Sequence, residues 1–182
     1  MPAYPKLMAT LLACACVLAL AHAARASEDA GFTSTASEPA LFRRVLPDIK
    51  SRTRIPILLP GRLPGTARAS EVRHVDGHAD AAKYEINLYG GEGLSNATFV
   101  GYFAGERTQR DEHFGEPVTL ADGKVGYFHA RSCGGSCAPS QIEWQRQGVL
   151  YSVQLRLDVK APAEEKRDMV EAANSAILGG PR

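Results

Sequence analysis

The sequence predicts an α+β fold: a single domain whose antiparallel meander sheet is covered on one face by N- and C-terminal helices. Three observations predict it. Between Gln141 and Asp158 apolar and polar side chains alternate with period two on either side of Gln147-Gly148, the pattern of an antiparallel sheet that is wet on one face. Asp76-Gly77 and Asp122-Gly123 are hairpin-type turn dipeptides between strand-like runs. From Pro162 onward one apolar stripe recurs at helical spacing and supplies a cover for the sheet.

The first 26 of the 182 residues have the order of a secretory signal. Lys6 gives a short positive region and Leu7 to Ala21 an apolar one, followed by small residues at Ala21-His22-Ala23 and Ala24-Arg25-Ala26. The apolar run is shorter than the ~20 residues of a spanning helix, so cleavage after Ala26, with Ala23 the other site, leaves no transmembrane segment. Leu11-Leu12-Ala13-Cys14 offers an alternative, a lipoprotein signal anchored through Cys14. Loss of Lys6 and Arg25 with the leader takes the basic count from 21 to 19 against 20 acidic residues. So balanced a chain has no field to gather nucleic acid.

Residues 27–37 are rich in Ser, Thr, Ala and Gly and read as a flexible tether ahead of a single α+β domain over 38–182. Ser37 is placed to cap a helix with Pro39 in its first turn; Leu41, Phe42, Val45 and Leu46 form its apolar stripe, and Pro47 and Pro56 limit its length. Pro56, Pro60 and Pro64 exclude both helix and central strand from residues 55–65, so Ile55, Ile57, Leu58 and Leu59 are expected to lie extended and tucked against the core, with a polyproline ligand as the alternative.

Strands are expected at Ser70–Val75 and Lys83–Tyr89 around Asp76-Gly77, then at Thr98–Ala104, and at Pro117–Leu120 and Val125–Arg131 around Asp122-Gly123. In the last hairpin Ile142, Trp144, Val149, Tyr151, Val153 and Leu155 point inward; Gln141, Glu143, Gln145, Leu150, Ser152 and Gln154 point outward. The terminal helix opens at Pro162, sets Glu164 and Glu165 at its positive end, and stops near Gly179.

Four cysteines carry the strongest local signal. Cys14 and Cys16 leave with the leader, and Cys133 and Cys137 remain as a single pair separated by Gly134-Gly135-Ser136. In an oxidising compartment two remaining cysteines pair, here into a structural disulfide. Neither the spacing nor the context fits a redox Cys-x-x-Cys motif.

A rival centre is His74, Asp76, His78 and Asp80, which alternate and would share one face of an extended strand. Imidazole and carboxylate together suit a divalent metal, although a turn at Asp76-Gly77 would break the common face. Gly134-Gly135-Ser136-Cys137-Ala138 lacks the second half of a nucleophile elbow, and Gly90-Gly91-Glu92-Gly93 lacks the Lys-Ser/Thr of a phosphate loop. No cofactor is implied. Tyr89 and Tyr102 have outward parity and would form an aromatic binding surface if their strands are neighbours.

Trp144, Gly148-Val149-x-Tyr151 and a helix carrying Ala173-Asn174-Ser175-Ala176 resemble the C-terminal third of uncharacterised exported bacterial envelope proteins. The resemblance spans roughly residues 140–180 and implies fold and an envelope setting; it brings no catalytic residue. The resulting expectation is a periplasmic or secreted, non-catalytic module that binds a partner protein or a cell-wall glycan. Two alternatives accompany it: a metal-dependent or hydrolytic enzyme centred near His74, Asp76 and His78, and a carrier of lipid or another small apolar ligand.

Overall fold

The computed structural model describes residues 40–91, 93–108, 114–134, 137–159 and 161–182. The expected leader, its cleavage sites, the tether, Ser37 and Pro39 lie outside these residues. Seven antiparallel strands form the main sheet: β1 (His74–Ala79), β2 (Lys83–Tyr89), β3 (Phe99–Glu106), β4 (Glu116–Thr119), β5 (Val125–His129), β8 (Ser140–Arg146) and β9 (Val149–Leu155). A two-stranded ribbon, β6 (Ser132–Cys133) with β7 (Cys137–Ala138), interrupts the path from β5 to β8. The sheet order is β1-β2-β3-β9-β8-β5-β4. Two meanders thus join where β9 pairs with β3.

Register explains the core. One inward row, Ile86–Phe103–Val153–Ile142–Phe128, crosses five strands, and every member is buried. Trp144 stacks on its partner Tyr151 at 5.6 Å, both in the core as their parity requires. Gln147 and Gly148 both take positive φ, the backbone of a primed two-residue turn whose twist suits the hairpin.

The same face receives helix α1 (Leu46–Arg52) at β1 and helix α2 (Pro162–Gly179) at β5, β8 and β9. Helix α2 matches its expected limits, with Met169, Ala172, Ala173, Ala176 and Ile177 buried. The N-terminal helix differs from expectation. A 3₁₀ turn at Ala40–Phe42 precedes it, and Pro47 lies in its first turn, where a missing N–H costs nothing. Pro47 therefore opens α1 where the sequence reading had it closing a helix.

A second correction concerns Asp76-Gly77. The strand runs straight through it, and the chain turns at Asp80 instead, whose carboxylate accepts the amides of Ala82 (2.7 Å) and Lys83 (2.9 Å). Packing decides the matter: a Cβ on Gly77 would come within 2.8 Å of the Ile49 side chain, so this glycine is where α1 lies down on β1. Asp122-Gly123 does turn, with Gly123 at φ +76°.

The extended segment 55–59 lies over the inward face, as its Ile and Leu content requires, and two buried tyrosines hold it. The Tyr84 hydroxyl accepts from the Leu58 amide (3.1 Å) and sits 3.3 Å from the Leu58 carbonyl; the Tyr151 hydroxyl donates to the Pro56 carbonyl (3.0 Å). The far end of the chain closes over the same segment: Leu58 bridges Pro181, and the Arg182 amide donates to the Ile57 carbonyl at 3.0 Å.

Two outcomes test this arrangement. A Cβ on Gly101 would lie 2.4 Å from the Gln154 carbonyl, a backbone atom that cannot move aside, whereas Gly65 has open space. Urea unfolding is therefore expected to show Gly101→Ala losing about 2–3 kcal/mol and Gly65→Ala changing little. The second outcome is a pH dependence. Burial pushes the Tyr151 phenol up to about 12, against the lowering effect of Arg146 and Arg107, and holds Tyr84 above its ordinary value. Above roughly pH 10 the unfolded chain releases these protons while the native state keeps them. Stability is complete below that pH and falls as pH rises, by about 1.4 kcal/mol per unit and per phenol, for Tyr151 until about pH 12. Tyr151→Phe is expected to flatten that fall in unfolding curves measured between these limits.

Candidate functional site

With both helices on one face, the other face of the sheet carries no helix among the described residues, and its side chains line up in rows set by register. One row is His78–Glu85–Ala104–Ser152–Glu143–Tyr127; the next is Asp76–Asn87–Tyr102–Gln154–Gln141–His129. A third, shorter row is His74–Tyr89–Phe99. The polar members bond to one another as well as facing solvent.

Ser152 is the junction. Its hydroxyl lies 3.0 Å from the Tyr102 hydroxyl and accepts from the Gln141 amide at 2.9 Å. The same Gln141 amide donates to Glu143 at 2.7 Å, and His129 stands 3.9 Å from the second oxygen of that carboxylate. On the other side of Tyr102, Asn87 donates to Glu85 at 2.8 Å. Ser152 and Asn87 are each only 8% exposed although no element lies over them in the described chain, because their neighbours' side chains close around them. Such satisfied polar networks fix side chains in place.

The aromatic members form a second chain. Ring centroids run from His74 to Tyr89 (6.3 Å), Tyr89 to Phe99 (6.1 Å) and Phe99 to Tyr102 (6.4 Å). Strands β2 and β3 are neighbours, and Phe99 links the two tyrosines singled out from the sequence. Desolvation raises the Tyr89 phenol above its ordinary value, with the charges of Asp76 and Glu85 adding to the effect. At the end of this chain lies a cleft of about 500 Å³, lined by Phe99, Gln154, Arg156, Pro139, Cys137 and the Asn96-Ala97 turn.

The other predicted residues fall as follows. Cys133 and Cys137 form a disulfide with Cα atoms 4.1 Å apart, closing the β6–β7 ribbon at the rim of the cleft. His74, Asp76 and His78 do share a face, since β1 is not broken at Gly77, and His78 Nε2 lies 2.8 Å from Asp76 Oδ2. Asp80 is engaged in its own turn. The four do not converge as a ligand set, and among the described residues no group of three His, Cys, Asp or Glu is placed to hold a metal ion.

Sequence reasoning passed over Ser152, Gln141, Glu143, Gln154, Asn87 and Phe99 as members of a site. A signal was present: the outward positions of β8 and β9 hold Gln, Glu and Ser in place of the Lys and Arg of an ordinary solvated face. Leu150, the apolar outward residue of β9, is buried as Ser152 is; beside it Gln145 donates to the Thr108 carbonyl, which draws the chain after β3 toward this corner.

Replacing the junction is a direct test. Ser152→Ala removes the atom shared by Tyr102 and Gln141 and is expected to cost about 1 kcal/mol in chemical unfolding, while the Tyr102 ring resonances broaden or shift in NMR spectra. No helix among the described residues is long and apolar enough to cross a membrane. Comparison with family models, with curated proteins and with solved structures finds no match to this chain.

Proposed function

We propose that this protein is an exported, non-catalytic binding module of a bacterial envelope that takes a cell-wall glycan on the open face of its sheet. The observation that carries the reading is the Tyr89–Phe99–Tyr102 chain of rings, bonded at Tyr102 to Ser152 and through it to Gln141, with Phe99 and Gln154 lining the cleft at its end. Sugars offer an apolar ring face and a rim of hydroxyls. Aromatic rings suit the first; side-chain amides, which both donate and accept, and carboxylates, which accept, suit the second. The Tyr102 ring is held by its own hydroxyl, so little ordering remains to be done on binding.

The leader pattern and a disulfide pair support export into an oxidising compartment. A protein partner is the weaker reading, since the patch is dominated by polar side chains that already bond to one another. The carrier reading has little support. The space between sheet and helices is filled by Phe42, Leu46, Leu59, Phe103, Trp144 and Met169, all at most 1% exposed.

One observation favours the enzyme alternative: Asp76 with His78 at 2.8 Å, His78 standing directly opposite Glu85 on the neighbouring strand. An acid–base pair at that edge of the same face would cleave what the face binds.

Isolated wall sacculi and soluble wall oligosaccharides separate these readings. The module is expected to co-sediment with sacculi and to release no reducing ends. Phe99→Ala and Tyr102→Ala are each expected to weaken oligosaccharide binding roughly tenfold by calorimetry, with unchanged thermal unfolding for Phe99→Ala. Reducing-end release that His78→Ala abolishes would establish the enzyme instead. Absence of any binding to either material would overturn the glycan reading.

A further inference from the structure

On the helix side of the disulfide ribbon lies a second cleft, of about 230 Å³, where the end of β9, the chain at Arg68, the ribbon and α2 meet. Its charged lining is Arg68, Arg131, Arg156, Asp158 and Glu165. Three guanidiniums against two carboxylates leave one net positive charge in a recess walled by protein, where charge interactions exceed those in open water.

The three arginines are not equivalent. Arg131 is committed to Glu165 (3.9 Å), a carboxylate buried in the core side of α2 that also accepts from Ser140 at 2.6 Å. Among the described residues Arg68 pairs with the exposed Glu71 alone, at 3.5 Å, and its buried Nε has no hydrogen-bond partner there. Arg156 donates to the carbonyls of Asn96 (3.3 Å) and Ala97 (3.4 Å) and makes no ion pair among the described residues. Arg68 and Arg156 both line the recess with donor capacity unspent, and the buried Nε of Arg68 is costly without a partner.

We propose that this cleft is an anion subsite in which Arg68 and Arg156 hold the carboxylate of an acidic saccharide that lies on the open face. This rests on the glycan reading of that face. Two features tie the cleft to it. Arg156, Cys137 and Pro139 line both this cleft and the 500 Å³ cleft beside Phe99, so the two recesses adjoin around the ribbon. Arg156 also follows Ser152 and Gln154 at the same outward parity of its strand. The choice of a carboxylate follows from charge and shape: a planar monoanion fits the guanidinium fork and cancels the single surplus charge, which a dianionic phosphate would exceed.

The test titrates the full chain, leader removed, with two probes. One is peptide-free wall glycan whose muramic residues carry free lactyl carboxylates; the other is a neutral N-acetylglucosamine oligomer of equal length. The readouts are calorimetry and NMR of the arginine Nε–H and tyrosine ring signals. The acidic probe is expected to bind about tenfold tighter, to shift Arg68 and Arg156 together with Tyr102, and to lose its advantage in Arg156→Gln and Arg68→Gln while neutral binding stays constant. Equal affinity for both probes, or an advantage that survives both substitutions, would overturn the subsite. Tyrosine shifts with silent arginines refute the subsite and leave the glycan face standing. Arginine shifts with silent tyrosines refute the face and leave an anion site on its own.

Discussion

Pairing register is the constraint from which the rest of this structure follows. Side chains alternate across a strand, so committing Ile86, Phe103, Val153, Ile142 and Phe128 to the core commits the residues between them to the other side. A one-residue slip at any strand would bury Glu85, Tyr102 and Gln154 or their neighbours and expose the apolar row. The polar face is thus held in place by the hydrophobic one. Its precision is inherited from a packed interior whose largest side chains, Trp144 among them, are almost wholly enclosed.

That interior is completed by segments with no sheet partner of their own. Residues 55–59 cannot form a central strand because of Pro56 and Pro60, yet their carbonyls and amides need partners once buried. Tyr84 and Tyr151 supply them from the sheet, and residues 181–182 supply them from the other side. Helix α2 reaches beyond the core as well: Asn174 accepts the Ala121 amide at 2.7 Å and Lys166 meets Glu116 at 2.7 Å, which tethers the β4–β5 hairpin at the sheet's edge.

Much of the fold was legible because its signals are local and periodic. The β8–β9 hairpin is written in alternation plus Gln147-Gly148, and α2 in an apolar stripe between Pro162 and Gly179. What failed was context. Asp76-Gly77 and Asp122-Gly123 are the same dipeptide; one turns, while the other is pressed flat by Ile49, a contact nearly thirty residues distant in the chain that no local rule contains. Glu165 does stand in the first turn of α2, but four-residue spacing to Met169 also puts it on the buried stripe, where Ser140 donates a hydrogen bond to it and Arg131 pairs with it. The open face was legible as a wet face and as two tyrosines of outward parity. Its cohesion was not, because Tyr102, Ser152 and Gln141 meet only when three separate strands take their register.

The contact between residues 57–59 and residues 181–182 also has a temporal side. The segment that lids the core is made early, but its partners at residues 181–182 are made much later. Strand β3 likewise waits for β9, some fifty residues downstream. Contacts so remote in sequence carry a large closure entropy and form late. A chain made N-terminus first therefore keeps this core open until β9 and residues 181–182 exist, because the earlier strands lack those neighbours. The topology itself ties closure of the core to its most remote pairings.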